Sequence, residues 1–266
     1  MSQINFAINL EPLYPGMDFC EKIRRVSAAG FDAIEFWSWH DKDLNKIKET
    51  CEELGVSVRA FSGTKEWSLC DRAHRAEYLD WIRQSIEAAK QLSCDTLILF
   101  PNHFTPDGCA DFRSLYSHEG ILETITATLT MMVPMLEENK MTVLLEPLCN
   151  TGADAGMVVT HTSGGADIVR AVGSERVKLL CDVFHMQVMH GNLERNLMDH
   201  LDIVPYIHIA DAPDRHEPGT GEINFKYLSE KIKNSTFDGT VCFEYFPAGE
   251  PEEGYSALKE MCGWLR

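Results

Sequence analysis

At 266 residues and 44% hydrophobic content, the chain is long for one average domain but matches a single α/β barrel, for which about 250 residues are typical. Its formal net charge of −17 makes the surface acidic, which weighs against a nucleic-acid backbone or an anionic membrane as partner and favours a small neutral or metal-chelated molecule. The nine cysteines are scattered singly with no CxxC pair, the amino terminus shows no basic segment followed by a long apolar core, and no apolar run reaches about 18 residues; the expectation is a cytoplasmic protein with reduced thiols.

Taken in order, the chain alternates β-like runs with helical spacing. Ile4 to Asn9 reads as a strand, and Met17 to Ala29 as a helix ended by Gly30. Ala33 to Trp37 is the next strand, followed by a helix over Leu44 to Leu54 ended by Gly55, and Val56 to Phe61 is the third strand. The pattern continues with a helix over Ala73 to Leu92, a strand over Thr96 to Phe100, a helix over His118 to Asn139 and a strand over Met141 to Glu146. Then come a helix over Gly165 to Val172, a strand over Val177 to Asp182, one helical region from His185 to Leu201 and a strand over Val204 to Ala210. A helix over Phe225 to Lys233, a strand over Thr240 to Tyr245 and a helix over Gly254 to Trp264 finish the chain. Eight strand-helix units with no polar linker between them predict one domain over residues 1–266, a closed (β/α)8 TIM barrel, because closure covers every strand edge. The GxGxxG turn of a dinucleotide-binding sheet is absent after the first strand.

Four of the late runs end in a polar group: Glu146, Asp182, His208 and Glu244, at the carboxyl ends of strands five to eight. In a barrel those ends form the mouth that carries the active site. Three carboxylates and one imidazole suit a hard or borderline divalent ion, Mn²⁺ first and Mg²⁺ or Co²⁺ next. The alternative is a set of strand-end carboxylates paired with arginines.

The stretches LLEPL around Glu146, CDVFHMQVMHGNL around Asp182, HIADAPDRHEPGTGEINFKYL from His208 and FEYFPAG around Glu244 resemble the xylose isomerase-like barrel superfamily, most closely its hydroxypyruvate isomerase branch, over nearly the whole chain. RHEPGTGEINF is the most specific piece. The resemblance implies a metal-dependent isomerase or epimerase acting on a small sugar or hydroxy-keto acid, with Glu146, Asp182, His208 and Glu244 as metal ligands and Glu146 and Glu244 as catalytic acid and base. The sequence departs from the branch at His208, where hydroxypyruvate isomerases usually carry glutamine and ketose 3-epimerases histidine, and in the short Ser62 to Asp71 stretch, which is epimerase-like. Gly152 stands where the epimerases place a glutamate.

Proton abstraction beside a carbonyl needs a carboxylate base in reach and a cation on the developing oxyanion. Around that chemistry, His185 is expected to bond a substrate hydroxyl, or else to face solvent at a helix start. Arg215 can fix a carboxylate or hydroxyl, or pair with Asp214 or Glu217. Glu35, together with Trp37, Trp39 and Trp67, suggests a sugar-binding wall, a packed core or a contact in a homo-oligomer. His103 is open between substrate and structure, His190 reads as structural, and Cys181 and Cys242 read as core. A lyase or dehydratase sharing the first proton abstraction is the alternative function. A metal-cluster phosphodiesterase of the endonuclease IV type is a remote one, since it would require more histidines and a cationic face.

Overall fold

The computed structural model describes residues 4–106 and 108–266. Eight parallel strands close a barrel: β1 (Asn5–Asn9), β2 (Ala33–Phe36), β3 (Ser57–Ser62), β4 (Thr96–Leu99), β5 (Thr142–Leu145), β6 (Val177–Asp182), β7 (Tyr206–Ile209) and β8 (Thr240–Phe243). Each strand pairs with its neighbours in chain order, and β8 returns to β1. The expected α/β fold, a (β/α)8 TIM barrel, is therefore the observed one. Its helices among the described residues are α1 (Phe19–Ala28), α2 (Leu44–Leu54), α3 (Arg75–Gln91), α4 (His118–Asn139), α5 (Thr162–Val172), α6 (Val183–Met189), α7 (Leu193–Met198), α8 (Phe225–Lys233) and α9 (Pro251–Leu265).

Side chains alternate across a strand, so one set packs outward against helices and the other fills the barrel. The inner set has its own cluster with one residue per strand: Ala7, Ala33, Ala60, Ile98, Leu144, Leu180, Tyr206 and Cys242. Small side chains on β1 to β3 face larger ones on β4 to β7, which lets one layer fill the barrel. Two residues further along each strand lies the next inward position, occupied in order by Asn9, Glu35, Ser62, Phe100, Glu146, Asp182, His208 and Glu244. This second layer is overwhelmingly polar, and all of it except Phe100 is buried. Strand register keeps it level, with Asn9 opposite Glu35 and Asp182 opposite His208.

The helix ends follow local chemistry. Asp18, Asp43, Ser117 and Asn224 each accept a backbone N–H in the first turn of α1, α2, α4 and α8. The single helical region expected from His185 to Leu201 is two helices, because Gly191 and Asn192 adopt left-handed φ values of 62° and 51° that interrupt the helix between α6 and α7. Two features of the loops over the mouth had no signal in apolar spacing: a small antiparallel hairpin of Phe104–Thr105 with Gly108–Cys109, and a 3-10 turn over Gly152–Asp154. They are joined by Asn102, which donates to Ala110 O and Gly156 O and accepts from Val158 N.

Candidate active site

At the carboxyl-terminal mouth, Glu146, Asp182, His208 and Glu244 each offer a ligand atom, all within 4.8 Å of one another. Asp182 serves two elements at once. Its Oδ1 accepts His185 N at 3.1 Å as the cap of α6, which leaves Oδ2 turned to the cluster, 3.9 Å from His208 Nδ1. His208 Nδ1 lies 3.3 Å from Glu146 Oε1 and 3.0 Å from Glu244 Oε2. Its other nitrogen, Nε2, is 3.0 Å from Glu35 Oε2, so the imidazole is oriented from behind by a carboxylate. Asn9 completes the backing by donating to Glu35 Oε1 at 2.7 Å and to Glu244 Oε1 at 3.0 Å. Trp37 Nε1 also donates to Glu244 Oε1.

Arg215 reaches the cluster from the loop after β7, its Nη2 2.6 Å from Glu244 Oε2 and 3.0 Å from Asp182 Oδ2. Its backbone has φ 59°, a left-handed conformation uncommon outside glycine, and its carbonyl accepts Phe246 N. The loop is held by buried Asp211, whose carboxylate accepts the N–H groups of Ala212, Gly219, Gly221 and Ile223. At Gly221 only a hydrogen fits, since a Cβ would lie 1.9 Å from Ala212 O. That explains the glycine and acid content of the RHEPGTGEINF stretch.

Electrostatics separates the two glutamates. Burial pushes the Glu146 carboxyl up to about 7, against the pull of His208. Burial acts in the same sense on Glu244, but Arg215 and His208 outweigh it and hold that carboxyl well below the ordinary carboxylate range. For His208 burial opposes charge, yet Glu35, Glu244 and Glu146 raise it well above the usual histidine value. The crowded carboxylates thus draw a proton onto the imidazole even with the Arg215 guanidinium beside them.

The residues fit a divalent ion. Glu146 Oε1 and His208 Nδ1 are buried without a hydrogen-bond partner, and they face each other among further carboxylate oxygens. Three oxygen donors and one nitrogen, without a thiolate, suit Mn²⁺, Mg²⁺ or Co²⁺. A neighbouring group, Cys149, Asp154 and His185, is of another kind: burial pushes the Cys149 thiol up to about 11, and its S–H donates to Asp154 Oδ2 at 3.1 Å.

Above the cluster opens a cavity of about 600 Å³. Glu146, Glu244 and Arg215 line it, with Trp37, Phe184 and Phe246 among the aromatic walls. The other expected substrate contacts lie elsewhere. Glu35 lies in the same polar ring but is spent on His208 and Asn9 and does not line the cavity. His185 is fully buried behind Cys149, whose N–H it accepts on Nδ1 at 3.2 Å, and burial lowers its basicity. Trp67 faces a separate outer groove with Lys65 and Trp81. His103 is held by Ser68, whose Oγ is 2.9 Å from Nδ1 and accepts its backbone N–H. Arg215 pairs with Asp182 and Glu244, where Asp214 or Glu217 had been the structural alternatives. Asn9 was missed by sequence reasoning, although its place two residues past Ala7 is the signal that finds it.

A closed (β/α)8 barrel with a carboxylate-histidine cluster at its carboxyl-terminal mouth defines the class. The xylose isomerase-like TIM barrel family model matches residues 23–266, and the chain belongs to that family. It is 29% identical to the hydroxypyruvate isomerase of Escherichia coli K12 over 94% of this chain and 96% of that one. Among solved structures, it resembles an AP endonuclease, family 2, from Brucella melitensis at 25% identity with a TM-score of 0.86, covering 98% of this chain and 99% of that one. A D-psicose 3-epimerase solved with D-fructose shares the fold at 17% identity and a TM-score of 0.81, over 98% of this chain and 99% of its own.

Proposed function

We propose that the chain is a divalent-metal-dependent isomerase that moves a proton next to the carbonyl of a small sugar or hydroxy-keto acid. The observation that carries the reading is that four strand-end groups converge within 4.8 Å, and two of them, Glu146 and Glu244, also line the cavity where a substrate would lie. Similarity to an isomerase over nearly the full length supports it. Glu146, Asp182, His208 and Glu244 would hold the ion. The chemistry it would supply is charge stabilisation of the carbonyl oxygen as the neighbouring carbon loses its proton.

The chain's own groups do the rest. Glu146 and Glu244 take and return the proton: Arg215 and His208 keep Glu244 ionised, while burial makes Glu146 the more readily protonated of the two. Arg215 neutralises the excess of carboxylate and fixes Glu244, while Trp37 and Asn9 fix its second oxygen. An endonuclease reading, raised by the name of the Brucella relative, meets a chain of net charge −17 and a cavity whose sole lining cation among the described residues is Arg215. That all eight strands close one barrel supports reading residues 1–266 as one domain. The described helices include none long and apolar enough to cross a membrane; we read the protein as cytoplasmic.

Metal analysis after dialysis against Mn²⁺ tests the ligand set. We expect about one ion per chain, loss of activity on chelation and recovery with Mn²⁺ or Co²⁺. Asp182→Asn exchanges an anionic donor for a neutral amide of the same shape and should weaken retention. Unchanged metal content and activity in that variant would remove Asp182 from the site.

A further inference from the structure

The cavity is larger and more aromatic than a three- or four-carbon acid requires. Its volume of about 600 Å³ lies within the ~300–1,000 Å³ of sites that enclose drug-sized ligands. Seven large apolar side chains are exposed among the described residues, and three of them, Trp37 (38%), Phe104 (42%) and Phe246 (44%), stand at this one mouth. Trp37 and Phe246 meet edge-on with centroids 6.2 Å apart, and Phe104 meets Phe100 in the same manner at 5.5 Å. Rings left half-exposed around a functional cavity are surface held ready for a ligand face.

The charge of the wall points to the kind of ligand. Arg215 is the sole cation among the described lining residues, and its guanidinium is already engaged by Asp182 and Glu244. Asp154 adds a further carboxylate to the lining. An anionic group carried away from the reacting carbons would be desolvated there without a counter-charge. Ser38, Ser62, Thr64 and Thr151 supply hydroxyls instead, the partners a sugar uses.

We infer that the rim of Trp37, Phe104 and Phe246 is a second subsite that stacks an uncharged ring carried by the substrate beyond its reacting carbons. The preferred substrate is then a neutral ketose bearing a sugar or similar ring, in place of a short keto acid or a sugar phosphate. This rests on the isomerase reading above and names the substrate class of the same site.

The test uses three ketoses matched except at O6: fructose, isomaltulose, which carries a glucose there, and fructose 6-phosphate, with hydroxypyruvate as the short acid. Loss of the carbon-bound proton signal in deuterated water gives kcat/KM for each with the metal-loaded protein. Isomaltulose should exceed fructose by at least ~10-fold, the scale of one or two ring contacts, and both should exceed the phosphate ester and hydroxypyruvate. In Phe104→Ala/Phe246→Ala the isomaltulose-to-fructose ratio should fall about 10-fold, chiefly through KM; each single variant should give part of that loss. Faster turnover of fructose 6-phosphate or hydroxypyruvate than of either neutral ketose overturns the subsite and leaves the isomerase reading standing. An unchanged ratio in the variants also overturns it, and a simultaneous change in sedimentation mass would make the rim a subunit contact. Exchange with none of the four compounds would overturn the subsite, and silence on 2-oxo-tetronates as well would bring down the isomerase reading with it.

Discussion

At His208 the chemistry of a single ring decides how the cluster works. With Nε2 bound to Glu35, the ring presents Nδ1 to Glu146 and Glu244. Glu35 therefore sets both the tautomer and the angle of the imidazole, and Asn9 fixes Glu35 in turn. Glu35→Gln and Asn9→Ala should each weaken Mn²⁺ binding by about 10- to 100-fold, the usual effect of removing a ligand's support, while the fold is kept. Calorimetric titration with Mn²⁺ checks this, and parent-like affinity in both variants would show that the backing is idle. Glu35 itself was visible in the sequence as a strand-end acid, but its role was not. An acid that ends a barrel strand can face a substrate or a neighbouring ligand, and only the level of His208 across the barrel separates the two.

Among the elements, the loop after β7 carries the most structure for its length. Asp211 gathers four backbone N–H groups, three of them from residues 219–223, so that Arg215 is delivered to Asp182 and Glu244. Asp211→Ala leaves buried donors without partners and should cost about 3 kcal/mol in urea unfolding, on the scale of ~1–3 kcal/mol for each orphaned group. A loss under about 1 kcal/mol would mean that the loop finds other acceptors. The density of charge and glycine in this stretch was plain from the sequence, since such a composition at a strand end serves no core. The strands were legible too: apolar runs ending in acids gave Glu146, Asp182 and Glu244, and counting by two from the barrel-filling layer gives the whole polar ring. What apolar spacing could not give were the hairpin of Phe104–Thr105 with Gly108–Cys109 and the turn at Gly152–Asp154, which are held by backbone hydrogen bonds, Cys109 N to Ala155 O among them, and by Asn102 bonding residues that flank both. Nor could spacing show that Trp67 lines a separate groove and that His103 is held by Ser68, because loop direction is fixed by such bonds.

Over the whole molecule, closure of the barrel turns four distant segments into one charged site inside an acidic protein. Concentrated carboxylate attracts cations and is destabilising without one. The proton on Glu146, held there up to about 7 by burial, and the second proton on His208, held by its carboxylate neighbours, both compete with a metal ion. Raising the pH removes competitors in each case, so Mn²⁺ affinity should rise from pH 5 through 7 and continue upward as His208 gives up its proton. Affinity that is flat or falls across that window would contradict the ligand set. The central claim is that Glu146 and Glu244 move a carbon-bound proton under the influence of a bound ion. Proton NMR in deuterated water tests it most directly, following the hydrogen beside the carbonyl with Mg²⁺-loaded protein across ketoses, hydroxypyruvate and 2-oxo-tetronates. The account predicts exchange and conversion of a member of this panel, both lost on chelation. Net conversion should fall by at least ~100-fold in Glu146→Gln and in Glu244→Gln, with partial exchange surviving in at least one of them. Near-parent conversion in either variant, or full exchange in metal-stripped protein, would contradict it.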